Sequence, residues 1–393
     1  RLYEPEYLRV ARETLGVTDM WVSYSWGFST EIEQEDREYI VQRLPYFYQQ
    51  GISPHAYIQG LNLVTAEFAG QDVFCRDARG RLLPYSKGRS LTCPNNPRAR
   101  RILTERVRAA CREDFSGVYM DNILFGLPPY YVRADYTSFF GCSCPHCQDS
   151  FRARFGYPLP VESKACEQQI ADYLSFRTAS VLALLEALAE ICRESGKKFG
   201  INLYDPVLYT PELYFGYNLS DIAPLLDYFL IENHGLATPR GINNCHLLPF
   251  IMAASKPVFV VSYRHGIGRE PAYDQQDIDA IWSEATALGY LPCLKASEYL
   301  THGQWHALKL DEIRPPVMTA SLADPPCDVT PQRLKCSSAV ERQAVRQLNH
   351  WIAQLATAAF EDSFLGRVLF RTGIAVRAMR QSRAYVLPDS WTH

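Results

Sequence analysis

Four cysteines lie in a pattern that is typical of a metal site. Cys142, Cys144 and Cys147 follow one another with the spacing C-x-C-x2-C, and Cys93 lies upstream as a candidate fourth thiolate. Four thiolates that close a tetrahedron are the ligands of structural zinc sites, and they leave no open position for water. The sequence therefore predicts a structural zinc ion. His146, inside the cluster, is not needed as a ligand because Cys93 supplies the fourth thiolate.

Two carboxylates end apolar runs and are candidates for catalysis. The run Val118-Tyr119-Met120 ends in Asp121, and the run 228–231 ends in Glu232. A pair of carboxylic acids is what the hydrolysis of a glycosidic bond requires. Other interpretations stay open, since Asp121 could cap the following loop and Glu232 could be the structural partner of Arg264 or Lys295. Glu298 is the runner-up catalytic carboxylate.

Aromatic, amide and charged side chains lie at or near the ends of the same runs. Rings stack on the flat faces of sugars, and amides and carboxylates bind hydroxyl groups, although any single ring could instead belong to an aromatic core. His234 and His265 are more consistent with hydroxyl binding than with metal binding, because no third ligand has suitable spacing. The predicted substrate-binding residues are Tyr24, Trp26, Gln59, Asn122, Asn202, Tyr204, His234, Tyr263, Arg264, His265, Lys295 and Glu298.

The elements that must position these residues alternate between strands and helices. Predicted strands cover 20–26, 54–60, 117–123, 199–204, 227–232, 257–263 and 290–295, and predicted helices cover 5–15, 31–50, 97–114, 148–156, 165–195 and 274–288. The strand runs are continuously apolar, which indicates a buried parallel sheet. The pattern predicts the α/β class and a (β/α)8 TIM barrel, whose chemistry sits at the carboxyl ends of the strands.

The eighth strand of this barrel has no clear position in the sequence. It could lie around 72–76, precede residue 1, or come from the C-terminal tail. We expect residues 1–318 to form the catalytic barrel, with a zinc-binding loop at 93–147 and a hairpin turn in the sequence D-A-R-G-R. Residues 319–393 are expected to form a mostly helical C-terminal extension that packs on the barrel.

Composition narrows the choice of partners. The chain has 393 residues and a formal net charge of −3, so it offers no basic field for nucleic acid or an anionic membrane. No apolar run approaches the ~20 residues of a membrane span, and the first residues do not form a signal peptide. The remaining eight cysteines are scattered, as expected of reduced thiols in the cytoplasm. Neither a Gly-rich phosphate loop nor a Ser nucleophile elbow is present.

The segment around the cysteines resembles glycoside hydrolase family 42, the β-galactosidases with a four-cysteine zinc site. The resemblance covers roughly residues 90–156: the sequence C-P-N-N-P at 93–97, Asp121-Asn122, the three later cysteines, Phe151 and Phe155-Gly156. It extends to the broader set of glycosyl hydrolases built on such barrels. It implies a TIM barrel, structural zinc, a carbohydrate substrate and, as one option, a homo-oligomer.

The sequence departs from that family at both catalytic positions. The family's acid/base glutamate follows an asparagine at the end of strand four, whereas Asn122 is followed by Ile123; its nucleophilic glutamate ends strand seven, which here ends in 263–265. Asp121 instead matches the aspartate nucleophile of α-galactosidase-like and α-fucosidase-like barrels, and Glu232 matches the acid/base of the former. The resemblance thus implies a glycoside hydrolase with Asp121 as nucleophile and Glu232 as acid/base.

Two other function classes remain open. One is a catalytically silent relative that binds carbohydrate, which the missing family glutamates favour. The other is a barrel enzyme of different chemistry, such as a lyase or a deacetylase-like hydrolase.

Overall fold

The computed structural model describes residues 2–125, 142–160, 166–204, 216–217, 219–233, 256–262, 274–287, 289–294, 297–299, 304–306 and 313–317. Its strands, in chain order, are β1 (Asp19–Ser25), β2 (Ser53–Gln59), β3 (Asn62–Val64), β4 (Pro84–Ser86), β5 (Arg89–Leu91), β6 (Gly117–Asp121), β7 (Lys198–Tyr204), β8 (Tyr228–Asn233), β9 (Val258–Ser262), β10 (Leu291–Cys293), β11 (Ser297–Tyr299) and β12 (Gln304–His306). Seven of them form one sheet in the order β1-β2-β6-β7-β8-β9-β10, and every pair in it is parallel. All seven predicted strands are thereby confirmed.

Helices precede β1 and lie in connections between the strands of this sheet. They are α1 (Pro5–Leu15), α2 (Thr30–Val41), α3 (Leu44–Gln49), α4 (Pro97–Arg112), α5 (Pro145–Phe155), α6 (Glu167–Glu194), α7 (Leu219–Ile222) and α8 (Gln275–Ala287). The single helix predicted over 31–50 is wrong, because the chain forms α2 and α3 there. Pro45 lies in the first turn of α3, and a proline in the interior of a longer helix would remove a backbone hydrogen bond and clash with the preceding turn.

The sheet is strongly curled. In a flat sheet of this order, β1 and β9 would lie about 24 Å apart, at five strand spacings. Instead the rings of Trp21 on β1 and Phe259 on β9 have centroids 4.8 Å apart, and the Trp21 indole donates a hydrogen bond of 3.1 Å to the Tyr228 hydroxyl on β8. On the outside, α1 and α8 bury Ala11 and Ile278 in one cluster. The first and last strands of the sheet are therefore brought towards each other.

The two faces of the sheet have different roles. The concave face carries an aromatic cluster, and the convex face packs on the helices through aliphatic and aromatic side chains such as Val22, Ile58, Val118, Ile201, Phe229 and Ile231. Each such side chain contributes about 1.5–3 kcal/mol when it leaves water. Gly200 permits a close approach on the concave face, since a Cβ there would lie 2.3 Å from the ring of Tyr228.

The segment between β2 and α4 is an antiparallel excursion that contains the predicted hairpin turn. The strands β3, β5 and β4 form a three-stranded sheet, and a turn closes from the backbone N–H of Asp77 to the carbonyl of Arg81. Gly80 in this turn has φ 78°, a conformation that suits glycine. Phe74 pairs with Thr92 only as an isolated antiparallel bridge. The segment 72–76 is therefore not the eighth strand of the parallel sheet.

The C-terminal part of the described chain adds two short strands. The strands β11 and β12 pair antiparallel, and β11 lies close to β1. The predicted extension 319–393 lies outside the described residues. Within the described chain, none of the helices combines the length and the apolar character needed to cross a membrane.

Candidate active site and metal centre

Asp121 ends β6 on the concave face and is 6% exposed. It lies in register with Gln59 of β2, two positions beyond the pair formed by Tyr57 and Tyr119. The Tyr57 hydroxyl and the Asn122 side-chain amide both donate hydrogen bonds to the Oδ2 atom of Asp121. Two donors on one oxygen stabilise negative charge on this carboxylate.

Asn122 connects Asp121 to the neighbouring strand and to the excursion. With φ 58°, it is the one non-glycine residue with positive φ among the described residues; asparagine adopts this left-handed conformation more readily than most residues. Its backbone N–H donates to the Oδ1 of Asn202 at 2.9 Å, and its own Oδ1 accepts from the Tyr85 hydroxyl at 2.7 Å. Its carbonyl accepts from the N–H of Leu61 at 3.0 Å. Several hydrogen bonds therefore fix a conformation that the backbone alone disfavours.

Glu232 near the end of β8 faces the same interior as Asp121. Its neighbours two and four residues earlier, Leu230 and Tyr228, belong to the concave cluster, and side chains two apart on a strand share a face. The Asn202 amide lies 3.5 Å from the Oε1 of Glu232. Glu232 also acts on Cys293 of β10. The pKa of this thiol is raised to about 12, chiefly by burial and further by the charges of Glu232 and Asp19. Asn122 and Asn202 thus form a hydrogen-bonded connection between the two predicted catalytic carboxylates.

Trp26 and Gln59 lie beside this connection. The pairing of β1 with β2 shifts register between Ser23 and Ser25, and Trp26 after this shift places its ring 4.6 Å from that of Tyr57. Gln59 is 3% exposed, and its carboxamide lies 3.2 Å from the Tyr57 hydroxyl. Register shifts of this kind redirect side chains near functional sites. Both predicted binding residues are therefore close to Asp121.

Buried charges hold the loop that carries Trp26, a feature that the sequence analysis missed. The Glu33 carboxylate on α2 accepts hydrogen bonds from the backbone N–H groups of Trp26 and Phe28. Arg89 and Arg106 donate to the carbonyl oxygens of the same two residues. Burial lowers the pKa of Arg106 to about 10. No sequence signal marks Glu33 on α2 or Arg106 on α4, because charged positions on amphipathic helices are usually solvated.

Tyr24, one of the predicted binding residues, does not lie near Asp121. Its ring is buried in the main core, packs edge-on against Phe115 with centroids 5.4 Å apart, and lies under the guanidinium of Arg37. It belongs to the convex face and does not join the residues around Asp121. The backbone of Tyr204 and of Glu298 lies in strands β7 and β11, and the remaining predicted binding residues, His234, Tyr263, Arg264, His265 and Lys295, lie outside the described residues.

The four predicted metal-binding cysteines come together. The Sγ atoms of Cys93, Cys142, Cys144 and Cys147 all lie within 4.8 Å of one another, and all four residues are buried. Cys93 is 3.3 Å from Cys147 and 3.6 Å from Cys144 between sulfur atoms. A tetrahedral zinc ion with bonds of 2.3 Å requires sulfur separations of about 3.8 Å. The cluster could therefore hold a metal ion, and its donor set fits zinc.

The surroundings of the cluster also suit a metal centre. The backbone N–H groups of Arg76 and Cys144 donate to the Cys142 sulfur at 3.3 and 3.4 Å, and the Asn95 amide donates to Cys147 at 3.4 Å. Such outer donors orient thiolate ligands. Burial opposes ionisation of Cys93, but hydrogen bonds from other thiols hold its pKa at about 6.

Cys75 is a neighbour of the cluster that the sequence analysis assigned to the scattered thiols. It is fully buried, hydrogen bonds with Cys142 and Cys93, and has a pKa raised by burial. Its spacing from Cys93 gave no signal, because a β-excursion rather than a short loop brings it close. His146, which is not needed as a ligand, has its Nε2 atom 3.9 Å from a carboxylate oxygen of Asp72.

The cysteine cluster and the candidate active site share one segment. The N–H of Cys93 donates to the Val73 carbonyl, and the N–H of Ser143 donates to the Arg76 carbonyl at 2.7 Å. The cysteines therefore join the excursion to the segment that contains α5. The same excursion carries Tyr85 to Asn122. A bound ion would thus stabilise a support of Asp121 without contacting it.

The curled parallel sheet, with helices between its strands, is an α/β fold that solved structures share. Among solved structures, the chain is similar to a β-galactosidase from the Antarctic haloarchaeon Halorubrum lacusprofundi, with 15% identity, a TM-score of 0.56, and coverage of 99% of this chain and 61% of that one. It is also similar to α-L-fucosidase isoenzyme 2 from Paenibacillus thiaminolyticus, with 11% identity, a TM-score of 0.52, and coverage of 77% and 44%. The glycoside hydrolase domain of PgaB (BpsB) from Bordetella bronchiseptica matches at 13% identity and a TM-score of 0.49, over 74% of this chain and 86% of that domain.

These likenesses concern the fold. The chain spans less than two thirds of the length of the β-galactosidase and the fucosidase. No family model matches the chain, and no curated protein matches it either.

Proposed function

We propose that this chain is a glycoside hydrolase on a complete (β/α)8 barrel, related to the family 42 barrels, that cleaves an O-glycosidic bond of a carbohydrate. Asp121 is the nucleophile and Glu232 the acid/base. The observation that carries the proposal is the hydrogen-bonded connection from Asp121 through Asn122 and Asn202 to Glu232 across the concave face. Carboxylates at the carboxyl ends of barrel strands occupy the position where such barrels perform chemistry.

The reaction would proceed in two displacements. Asp121 attacks the anomeric carbon while Glu232 donates a proton to the departing glycosidic oxygen, which leaves a glycosyl ester on Asp121. Glu232 then accepts a proton from water, and the water oxygen displaces Asp121. This route retains anomeric configuration and requires carboxyl groups about 5–5.5 Å apart. Tyr57 and Asn122 stabilise the carboxylate of Asp121 before attack and again when it leaves.

The residues around this pair bind the sugar in our proposal. Trp26 offers a ring face, and Gln59 and Asn202 offer amides next to the carboxylates. Residues proposed to complete the pocket are Asn122, Tyr204, His234, Tyr263, Arg264, His265, Lys295 and Glu298. The four clustered cysteines bind a structural zinc ion that supplies rigidity, and no step of the reaction uses it.

The test uses aryl glycosides of both anomeric configurations with purified protein. We expect turnover of at least one substrate and a loss of about 10³-fold or more in Asp121→Asn, because the nucleophile is gone. Asp149→Asn, on the exposed surface of α5, serves as the control and should keep full activity. Full activity of Asp121→Asn would overturn the proposal, and sugar binding without any turnover would identify a silent relative.

The two roles can be separated with the leaving group. Glu232→Gln should lose activity on poorly activated glycosides but retain much of it on dinitrophenyl glycosides, whose departure needs no proton. A 2-deoxy-2-fluoro glycoside should form an ester within the tryptic peptide 113–133, which contains Asp121. An ester on a different peptide would reassign the nucleophile.

A further inference from the structure

Cys111 and Cys192 form a pair of thiols between two helices. Their Sγ atoms lie 3.9 Å apart, with Cys111 in the last turn of α4 and Cys192 in the last turn of α6. Cys192 is fully buried, and Cys111 is 8% exposed. Burial alone is expected of cysteine, which behaves as a small hydrophobic residue. The close approach of two sulfur atoms from residues 81 positions apart needs a separate explanation.

The surroundings make the two thiols unequal. The hydrogen bond with Cys192 lowers the pKa of Cys111 against the opposing effect of burial, and Ser195 and the charge of Lys197 lower it further. The hydrogen bond with Cys111 raises the pKa of Cys192, and burial raises it more. The more accessible sulfur is therefore also the one that ionises first. This is the arrangement of an attacking thiol backed by a resolving thiol.

We propose that Cys111 and Cys192 are an oxidisable dithiol that closes to a disulfide between α4 and α6. A low-molecular-weight disulfide such as oxidised glutathione is the oxidant. The Cys111 thiolate attacks one of its sulfurs and releases one thiolate; Cys192 then attacks the Cys111 sulfur and releases the second. The two protons of the protein thiols pass to the two released thiolates, so two protein thiols are oxidised and one external disulfide is reduced.

The bond would fix the end of the barrel opposite the candidate active site. The N–H of Lys197 donates to the Cys192 carbonyl at 2.8 Å, and the N–H of Lys198 donates to the Ser116 carbonyl at 3.1 Å. These residues lead into β7 and β6, whose other ends carry Asn202 and Asp121. A disulfide that closes a loop of this length restricts the unfolded chain strongly. It should stabilise the fold independently of the proposed hydrolase activity.

The experiment exposes the folded, full-length chain to oxidised glutathione, quenches free thiols with an alkylating agent and digests it with trypsin. We expect the peptides 109–112 and 178–193, which contain the two cysteines, to appear as one linked species about 2 Da lighter than their sum. Reduction should abolish this species. The melting temperature of the oxidised chain should exceed that of the reduced chain by a few degrees.

Control variants make the result specific. Cys111→Ala should lose both the linked peptide and the difference in melting temperature, while Cys166→Ser, which changes an exposed cysteine, should keep both. The wild-type peptide assay needs no variant, so poor folding of Cys111→Ala leaves the test intact. A glutathione adduct that persists on Cys111, linkage only after denaturation, or no reaction would each overturn the proposal.

Discussion

The Tyr85 hydroxyl donates a hydrogen bond of 2.7 Å to the side-chain oxygen of Asn122, so the antiparallel excursion contacts the residue that follows Asp121. Two parts of the chain that are far apart in sequence meet at this bond. The excursion is also joined to the segment that contains α5 through the cysteine cluster. The relationship makes Tyr85 a support of the candidate active site.

Replacing Tyr85 with phenylalanine should weaken this support. The buried oxygen of Asn122 would lose its donor, and leaving a buried polar atom unsatisfied costs about 1–3 kcal/mol. Urea denaturation of Tyr85→Phe should show that loss. Tyr46→Phe is the matched control, since the Tyr46 hydroxyl makes no hydrogen bond within the described part of the chain. Equal stability of the two variants would show that the bond contributes little.

The backbone conformation of Asn122 can be tested by a pair of substitutions. Asn122→Gly and Asn122→Ala both remove the side-chain hydrogen bonds, but only alanine is strained at φ 58°. We expect the alanine variant to be less stable than the glycine variant by about 1 kcal/mol. Chemical denaturation of the two proteins measures the difference directly. A more stable alanine variant would mean that the residue does not adopt the left-handed conformation in solution.

Metal content should depend on the four clustered cysteines. The purified chain should contain about one zinc ion, and Cys142→Ser should lose it and melt at a lower temperature. Elemental analysis and thermal denaturation give the two readouts. Cys75→Ser is the matched control because Cys75 is equally buried yet lies outside the set of four. Loss of zinc from Cys75→Ser, with retention in Cys142→Ser, would reassign the ligands.

Acid stability should depend on Asp19. Burial opposes its ionisation, but hydrogen bonds from His55 and Thr18 and the positive charges nearby lower its pKa below the ordinary value. A depressed pKa stabilises the folded state above the unfolded pKa of about 3.9, and this stabilisation disappears as the pH falls through the folded value. Wild type should therefore exceed Asp19→Asn in stability at pH 6, and the difference should shrink below pH 4. A pH-independent difference in urea titrations would contradict this.

Much of the fold could be predicted because its signals are local. The continuous apolar runs that end in Asp121 and Glu232 predict buried parallel strands, and glycine at 16 and 156 marks the ends of α1 and α5, with φ 68° and 79°. The helix predicted over 31–50 passes over Pro45, although a proline there favours the start of a second helix, α3. The curl of the sheet is a property of packing between distant strands, and no local pattern contains it.

The candidate site was harder to predict than the cluster of cysteines. Cys142, Cys144 and Cys147 lie close together in sequence, so their spacing alone indicates a metal site. Tyr57 contacts Asp121 across 64 residues, and Tyr85 contacts Asn122 across 37. Tyr24 and Trp26 are two residues apart and would share a face of a regular strand, but the register shift between Ser23 and Ser25 turns their side chains to different faces of the sheet. Such outcomes depend on the pairing of strands, which sequence order does not specify.

The aromatic cluster on the amino-terminal side of Asp121 bears on how a small molecule would reach this carboxylate. Trp21, Tyr119, Tyr228 and Phe259 occupy the interior on the amino-terminal side of that carboxylate. Among the described strands, aromatic side chains therefore fill the interior on that side of Asp121. If Asp121 is the reacting group, we expect the substrate to arrive and the product to leave on the carboxyl-terminal side of these strands, so that each product has to depart before the next substrate binds.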